Sequence, residues 1–492
     1  MHATMRRAIV TALLALACLA GGPAAAEASS RQFSIVQDDV AFRGFLGDPD
    51  RWFAETSQLG AEMVRFNLIW RDVAPGARST RRPSGHVPGD PASGYNWSEY
   101  DRAVNLARRH GLRVMLVPTG PVPYWASDDP RRCARARRKN FCNYRPDAKQ
   151  FGQFVKAAAR RYRGRVRIWS VWNEPNLSSW LSPQVRRTRH GKARWSGRMY
   201  RALWYQAWKA IAKYDRPRRG SVLFGETAAT HSPIILLRSA LCLDPHGRPY
   251  RGRRRLAQGC PRRPKRLSVA GIAHHPYNQA ATGSPRSRTG SRYSAPLAYT
   301  YRLHSLISLA AKYRRIKRKP IYMTEHGFQS RPPDRFGARP WTQARYLNES
   351  DRLFFGDPWV RSVAQYELVD EKEVSSFNTG LRYWNGLKKK PAWPSYRLSV
   401  VVTRLSSRSV EVWGEARPAR GRTTVSVYAY SKSRKRYLRV ARARANPRGI
   451  FRKRVRRGSA SRLRYQLRWR DASGKVVFSR PAHAGPRLRY RR

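Results

Sequence analysis

The chain has 492 residues, 41% of them hydrophobic, and carries 100 Lys and Arg against 30 Asp and Glu, a formal charge of +70 with a sequence pI near 11.6. Its 16 Trp, 24 Tyr and 16 Phe exclude a disordered polycation, and its charge argues against a neutral cytosolic housekeeping enzyme. At about 150 residues per domain the length implies roughly two to three domains.

Such a charge attracts polyanions: nucleic acid, anionic cell-envelope polymer or acidic polysaccharide. The arginines are spread along the whole chain instead of clustering in one recognition element, which also fits a simple compositional bias.

The chain begins with Met5-Arg6-Arg7, an apolar run over 8–20, then Gly21-Gly22-Pro23-Ala24-Ala25-Ala26. A basic start, a short apolar stretch and a small-residue site make 1–28 a secretory signal, cleaved after Ala26 or Ala28. The apolar run is short of the roughly 20 residues that span a bilayer, so no membrane span is expected. Acylation of Cys18 is the weaker alternative, because Leu does not open the tetrapeptide before it. An exported, extracellular protein with four remaining cysteines is expected to hold two disulfides. Proximity in sequence pairs Cys133 with Cys142 and Cys242 with Cys260. A zinc site lacks the required spacing, and no metal or other cofactor is expected.

Beyond the signal, short β-branched or aromatic runs alternate with longer helical ones. Eight strands are read at 34–41, 63–70, 113–119, 167–173, 222–227, 269–275, 321–325 and 362–369, with helices at 100–110, 148–162, 199–214, 303–313 and 342–355 between them. Eight βα units are the number of a (β/α)8 TIM barrel, assigned to 29–394. A doubly wound open sheet announces itself with a Gly-rich first turn, and none follows an early strand here. After Pro391-Ala392-Trp393-Pro394 the pattern changes to simple alternation, as in Val425-Ser426-Val427-Tyr428, with a hairpin turn at Asp471-Ala472-Ser473-Gly474. Residues 396–492 therefore read as a small C-terminal β-sandwich. It holds 29 Lys and Arg against 3 acids and is the part expected to hold an anionic cell-envelope polymer.

The stretch Ile168-Trp169-Ser170-Val171-Trp172-Asn173-Glu174-Pro175 is an apolar strand ending in a carboxylate, where Pro stops the ladder. A second apolar run, Pro320-Ile321-Tyr322-Met323-Thr324, ends in Glu325. On strands four and seven of a barrel, the two would face each other at the C-terminal mouth, where active sites are built. Two such carboxyls are the minimal equipment for cleaving a glycosidic bond, one protonating the leaving oxygen and one attacking or stabilising the anomeric carbon.

These two strand ends, with Thr324-Glu325-His326-Gly327 and the eight-strand pattern, resemble the clan A retaining glycoside hydrolases, in particular the cellulase-like family 5 and the xylosidase-like family 39. The resemblance spans about three quarters of the chain. It implies Glu174 as general acid/base, Glu325 as nucleophile, and Asn173 as a hydrogen-bond partner of the sugar 2-hydroxyl. Arg65, in Met63-Val64-Arg65-Phe66-Asn67, resembles the strand-two arginine that keeps the nucleophile ionised. His275-Pro276-Tyr277 resembles the family's His-x-Tyr, which implies a hydrogen bond from Tyr277 to the nucleophile. His274 and His275 are otherwise core or metal-binding histidines, although no third ligand sits at a helpful spacing. Trp70, Trp125, Trp172 and Trp180 lie at or just after strand ends, suited either to stacking on sugar or to core packing. Strand eight departs from family 5, which often carries a Trp platform there, and offers Tyr366 or Glu367 instead.

The resulting expectation is a secreted retaining glycosidase acting on β-linked poly- or oligosaccharides. The alternative is a non-catalytic basic barrel that binds carbohydrate or envelope polymer. Nucleic-acid binding through the Arg-rich tail finds no recognisable module, and no specific nucleic-acid partner is expected. No phosphate loop, H-E-x-x-H or G-x-S-x-G occurs.

Overall fold

A computed structural model of the chain describes residues 32–135, 142–278, 280, 282–373, 377–419 and 421–488. The expected signal at 1–28, with Cys18, lies outside the described residues. Eight parallel strands form the first sheet: β1 (Phe33–Gln37), β2 (Met63–Ile69), β3 (Arg113–Thr119), β4 (Ile168–Trp169), β5 (Phe224–Ala228), β6 (Ile272–His275), β7 (Ile321–Met323) and β8 (Val360–Tyr366). They run in the order β4-β3-β2-β1-β8-β7-β6-β5, and a parallel bridge between Trp169 and Val222 closes the ring. Helices α1 (Pro49–Leu59), α2 (Ser98–Arg109), α3 (Ala148–Arg161), α4 (Trp195–Tyr214), α5 (Pro233–Ala240), α6 (Tyr301–Lys312), α7 (Pro340–Phe355) and α8 (Ala392–Arg397) follow the strands and clothe the outside. The expected (β/α)8 barrel is the fold observed.

The helices form for local reasons. In α3, Asp147 caps the first turn by accepting from the Gln150 amide at 2.7 Å. Phe151, Phe154, Val155 and Ala158 then fall on one buried face at helical spacing. The strands are buried on both sides, and their period of two sorts the side chains. In β2, Val64, Phe66 and Leu68 join the core beneath the helices, whereas Met63 packs inside the barrel with Phe33, Ile35, Met115, Ile168 and Leu223. The barrel interior is therefore apolar at its N-terminal end. Two residues on, the same inward-facing row of β2 carries Arg65, and the interior turns polar towards the C-terminal mouth.

Several strand boundaries differ from those read in the sequence, those of β1 and β4 the most. β1 stops at Gln37, not at residue 41, because Asp38 turns the chain into a short helix by accepting from the Ala41 amide at 2.9 Å. β4 is reduced to Ile168–Trp169, because Trp172 (φ 66°) and Glu174 (φ 41°) take left-handed conformations that a ladder cannot hold. Disulfides join Cys133 to Cys142 and Cys242 to Cys260, the two expected pairs, with Cα atoms 5.2 and 5.8 Å apart. Among the described residues no helix is long and apolar enough to cross a membrane.

The C-terminal part is the expected sandwich. Its strands are β9 (Leu398–Ser406), β10 (Ser409–Ala416), β11 (Thr423–Ser431), β12 (Arg436–Ala445), β13 (Ile450–Arg456), β14 (Arg464–Arg470), β15 (Val476–Phe478) and β16 (Ala482–Gly485). β9, β10 and β13 make one antiparallel sheet and β12, β11, β14 and β15 the other. β16 joins them, parallel to β9 and antiparallel to β14. Val400, Val412, Val425, Val427, Leu467 and Trp469 fill the space between.

The sandwich is fastened to the barrel by a buried ionic knot. Arg417 donates to Asp351 on α7 at 3.1 Å, to Glu415 at 2.7 Å, to Ser399 at 3.1 Å and to the Tyr396 carbonyl at 2.9 Å. Burial pushes the Glu415 carboxyl up to about 7 in spite of Arg417. Arg417→Met is expected to lower stability by about 3–5 kcal/mol, since it leaves two buried acids without their cation. Thermal unfolding should show it as a lower midpoint, with earlier proteolytic release of the sandwich.

Candidate active site

Three carboxylates and two cations converge at the C-terminal mouth. Arg65, fully buried, donates to Glu325 at 2.8 Å, to Glu226 at 2.7 Å and to the Asn173 side-chain oxygen at 2.9 Å, and it also donates to Gln37. His275 places one ring nitrogen 2.8 Å from Glu226 and the other 3.0 Å from Glu174 and 3.4 Å from Glu325. Both ring nitrogens face carboxyl groups, an arrangement that favours the imidazolium. Burial opposes that charge, but Glu325, Glu174 and Glu226 together raise His275 to about 10.

Glu174, Glu325 and His275 bring one ligand atom each within 4.8 Å of one another. Carboxyls about 5–5.5 Å apart fit a retaining double displacement, and about 6.5 Å or more an inverting one. The same three side chains are close enough to share a cation.

Each side chain arrives by local geometry. Arg65 and His275 share their inward-facing rows with Met63 and Ala273. Asn173 is held by its amide, which donates to Thr119 Oγ1 at 2.9 Å. The Glu174 amide donates to the Glu226 carbonyl at 2.8 Å, tying the end of β4 to β5. That bond helps maintain the left-handed backbone at Glu174, which costs a non-glycine residue of order 1–3 kcal/mol. Tyr277 donates to Glu325 at 3.4 Å. His274 points the other way, between Thr227 Oγ1 and the Ala295 carbonyl, and burial lowers it to about 4.

Glu226 is a residue that the sequence reading does not single out. It lies in the run Val222-Leu223-Phe224-Gly225-Glu226, an apolar strand ending in a carboxylate, the same signal that marked Glu174 and Glu325. Strict alternation from inward-facing Leu223 would turn it outward. A bulge between Phe224 and Thr227 resets the phase and aims it inside. The bulge needs Gly225, at φ 127°, where a Cβ would stand 2.5 Å from the Ala273 carbonyl oxygen. Burial raises the Glu226 carboxyl, but Arg65 and the hydrogen bond from His275 prevail and hold it at about 2. Its side chain is 0% exposed, against 14% for Glu174 and 9% for Glu325. Only the latter two are open to the mouth, and Glu226 is engaged by Arg65, His275 and Thr324.

Glu325 is pushed up by burial against the pull of His275 and Arg65. Tyr366 lies beside Tyr277, with ring centroids 6.3 Å apart, and its hydroxyl donates to Glu371 at 3.4 Å. Phe377, 41% exposed, packs against Tyr277 and Tyr366 at 5.5 and 5.4 Å and gives the mouth an accessible aromatic ring. Trp70 corrects an expectation. It is fully buried, stacked on Phe154 at 5.2 Å and edge-on to Trp125, so its faces belong to the core and not to a ligand. Trp172 is likewise fully buried, against Phe151.

No family model and no curated protein matches the chain. Solved structures similar to it include a GH5_18 protein from Streptomyces cattleya in complex with GlcNAc, at 15% identity and TM-score 0.46 over 74% of this chain and 78% of that one. A GH10 endoxylanase retrieved from a sugarcane soil metagenome is similar at 12% identity and TM-score 0.42, over 74% and 96%. A GH113 beta-1,4-mannanase is similar at 14% identity and TM-score 0.38, over 74% and 96%.

Proposed function

We propose that the protein is a secreted clan A retaining glycoside hydrolase that cleaves β-O-glycosidic bonds of poly- or oligosaccharides. The observation that carries this reading is the pair Glu174 and Glu325, within 4.8 Å, both reaching the mouth of the barrel on a bed of buried cations. Arg65 and His275 lie against Glu226 and Glu325 and favour the ionised form of each.

In the first step Glu325 attacks the anomeric carbon while the Glu174 proton passes to the leaving oxygen. The C–O bond to the leaving group breaks as the bond to Glu325 forms. Water then displaces Glu325 with Glu174 as base, and the sugar leaves with its configuration retained. Arg65 and Tyr277 hold the Glu325 carboxylate in line for attack. The Asn173 side-chain oxygen is engaged by Arg65, which turns its amide group towards a sugar hydroxyl. Phe377 and Tyr366 supply the aromatic surface on which a sugar ring packs. The signal-like segment 1–28 and the two disulfides support export. The basic sandwich supports retention on an anionic cell-envelope polymer.

Glu174→Gln is expected to lower turnover of natural glycosides by about 10²–10⁴-fold. It should leave aryl β-glycosides with good leaving groups nearly as reactive in their first step, because those need no proton. A panel of β-linked polysaccharides and aryl β-glycosides, with the product anomer followed by NMR, checks both points and identifies the sugar. Inverted product, or a wild type that binds the polymers and cleaves none, overturns the proposal.

A further inference from the structure

The outward face of the sandwich sheet formed by β12, β11, β14, β15 and β16 contains no acid anywhere in its strands. Strand register fixes what it presents. Phe478, Arg468, Ser426 and Arg442 make one row across four strands, Gln466, Tyr428 and Arg439 the next, and Thr424 and Arg444 flank them. Rows lie about 6.8 Å apart along the strands, and neighbouring strands about 4.8 Å apart, which sets the spacing at which these side chains leave the sheet.

Two of the arginines lie over aromatic rings. Arg464 lies 4.5 Å from the Tyr430 ring, and Arg468 lies 4.1 Å from the Tyr428 ring and 5.3 Å from that of Phe478. Each contact is a cation–π attraction that restrains the guanidinium against its ring. The Nε atoms of Arg464 and Arg468 are buried without a hydrogen-bond partner. Among the described residues the side chains of Arg439, Arg442, Arg444, Arg464 and Arg468 form no ion pair or hydrogen bond. At the barrel–sandwich boundary, by contrast, Arg417 is paired with Asp351 and Arg352 with Glu411. An ordered, acid-free array of unengaged planar donors is complementary to repeated oxyanions.

We infer that this sheet face is the docking surface for an acidic polysaccharide, which lies across the arginine rows with its carboxylates on the guanidinium edges. The inference deepens the reading of the sandwich as an anion-holding module and stands independently of the catalytic one. A nucleic acid is disfavoured because the rings that would stack on bases already carry guanidinium groups, and what faces outward is donors for oxyanions.

The test is binding of the full chain to immobilised polygalacturonate over a range of salt, with neutral dextran and double-stranded DNA alongside. The variant Arg439→Ser/Arg442→Ser/Arg444→Ser is expected to bind polygalacturonate at least about tenfold more weakly. A control removing the same charge from the barrel, Arg253→Ser/Arg254→Ser/Arg263→Ser, is expected to change it less than about threefold. Arg464→Lys/Arg468→Lys keeps the charge, loses the planar fork, and is expected to weaken binding severalfold. It also provides the answer if the triple variant fails to fold. Equal losses in the sheet and barrel triples overturn the inference, because binding would then follow net charge alone. DNA held as tightly as polygalacturonate, and released by the same triple, overturns it in favour of nucleic acid. Hydrolysis of aryl glycosides is read in the same samples. A wild type that holds polygalacturonate but hydrolyses nothing defeats the catalytic proposal and leaves this one standing.

Discussion

Glu325→Gln is expected to abolish turnover on every glycoside, aryl glycosides included, by about 10⁴-fold or more, equivalent to about 5.5 kcal/mol of transition-state stabilisation. The loss is independent of the leaving group because the missing atom is the nucleophile, not the proton donor. That independence separates the Glu325 role from the Glu174 role more sharply than the size of either effect. The substitution preserves shape but removes a charge, so Arg65 keeps Glu226 as its only partner among these carboxylates. A melting midpoint close to that of wild type, together with lost activity, assigns the effect to chemistry. An activity retained within about tenfold would remove Glu325 from the mechanism.

The second large effect is expected at a residue the substrate never touches. Glu226→Ala takes away the anion shared by Arg65 and His275 and should lower stability by about 3–5 kcal/mol, the usual result of breaking a buried ion pair from one side. Glu226→Gln keeps the shape and exposes the electrostatic role. His275, now flanked by one carboxylate fewer, should lose its proton at lower pH, and the alkaline limb of the pH–rate profile should move down accordingly. The stability profile has a defined sign on each side. Glu226 sits at about 2 instead of 4.5, so its contribution is complete above pH 4.5 and fades as the pH falls towards 2. His275 sits at about 10 instead of 6.5, so its contribution is complete below pH 6.5 and fades as the pH rises towards 10. Thermal melts across this range should show wild type losing stability on both flanks and Glu226→Gln losing less on each. A merely space-filling Glu226 predicts no change in either limb.

Legibility of the site in the sequence varied with how local the signal was. Arg65 is visible through its likeness to the strand-two arginine of the clan A enzymes, and Asn173-Glu174-Pro175 because Pro marks where the strand must end. Glu226 carries the same mark, but its inward aim depends on a bulge, and the bulge on how closely Gly225 approaches the Ala273 carbonyl of the neighbouring strand. Trp70 shows the converse. At a strand end it reads equally as a sugar platform or as core, and only the stacking of Phe154 from α3, some eighty residues later in the chain, decides for core. Phe377 passes unremarked in a loop, and becomes part of the mouth because Tyr277 and Tyr366 stand beside it.

By itself the sequence determined the alternation of eight strands with helices, the change to simple alternation after Pro394, the pairing of the cysteines and the strand-end carboxylates of β4 and the β7 segment. Each of these follows from short-range chemistry: side-chain period, backbone restriction by Pro, and proximity along the chain. Only the tertiary structure decided which carboxylates share a cation, that His275 stands between three carboxylates, that Glu226 is sealed from solvent, and that the sandwich arginines align on one acid-free face. Those properties depend on distances between residues a hundred or more positions apart, or on register between strands. Electrostatic energy varies with such distances and with burial, neither of which the order of residues states.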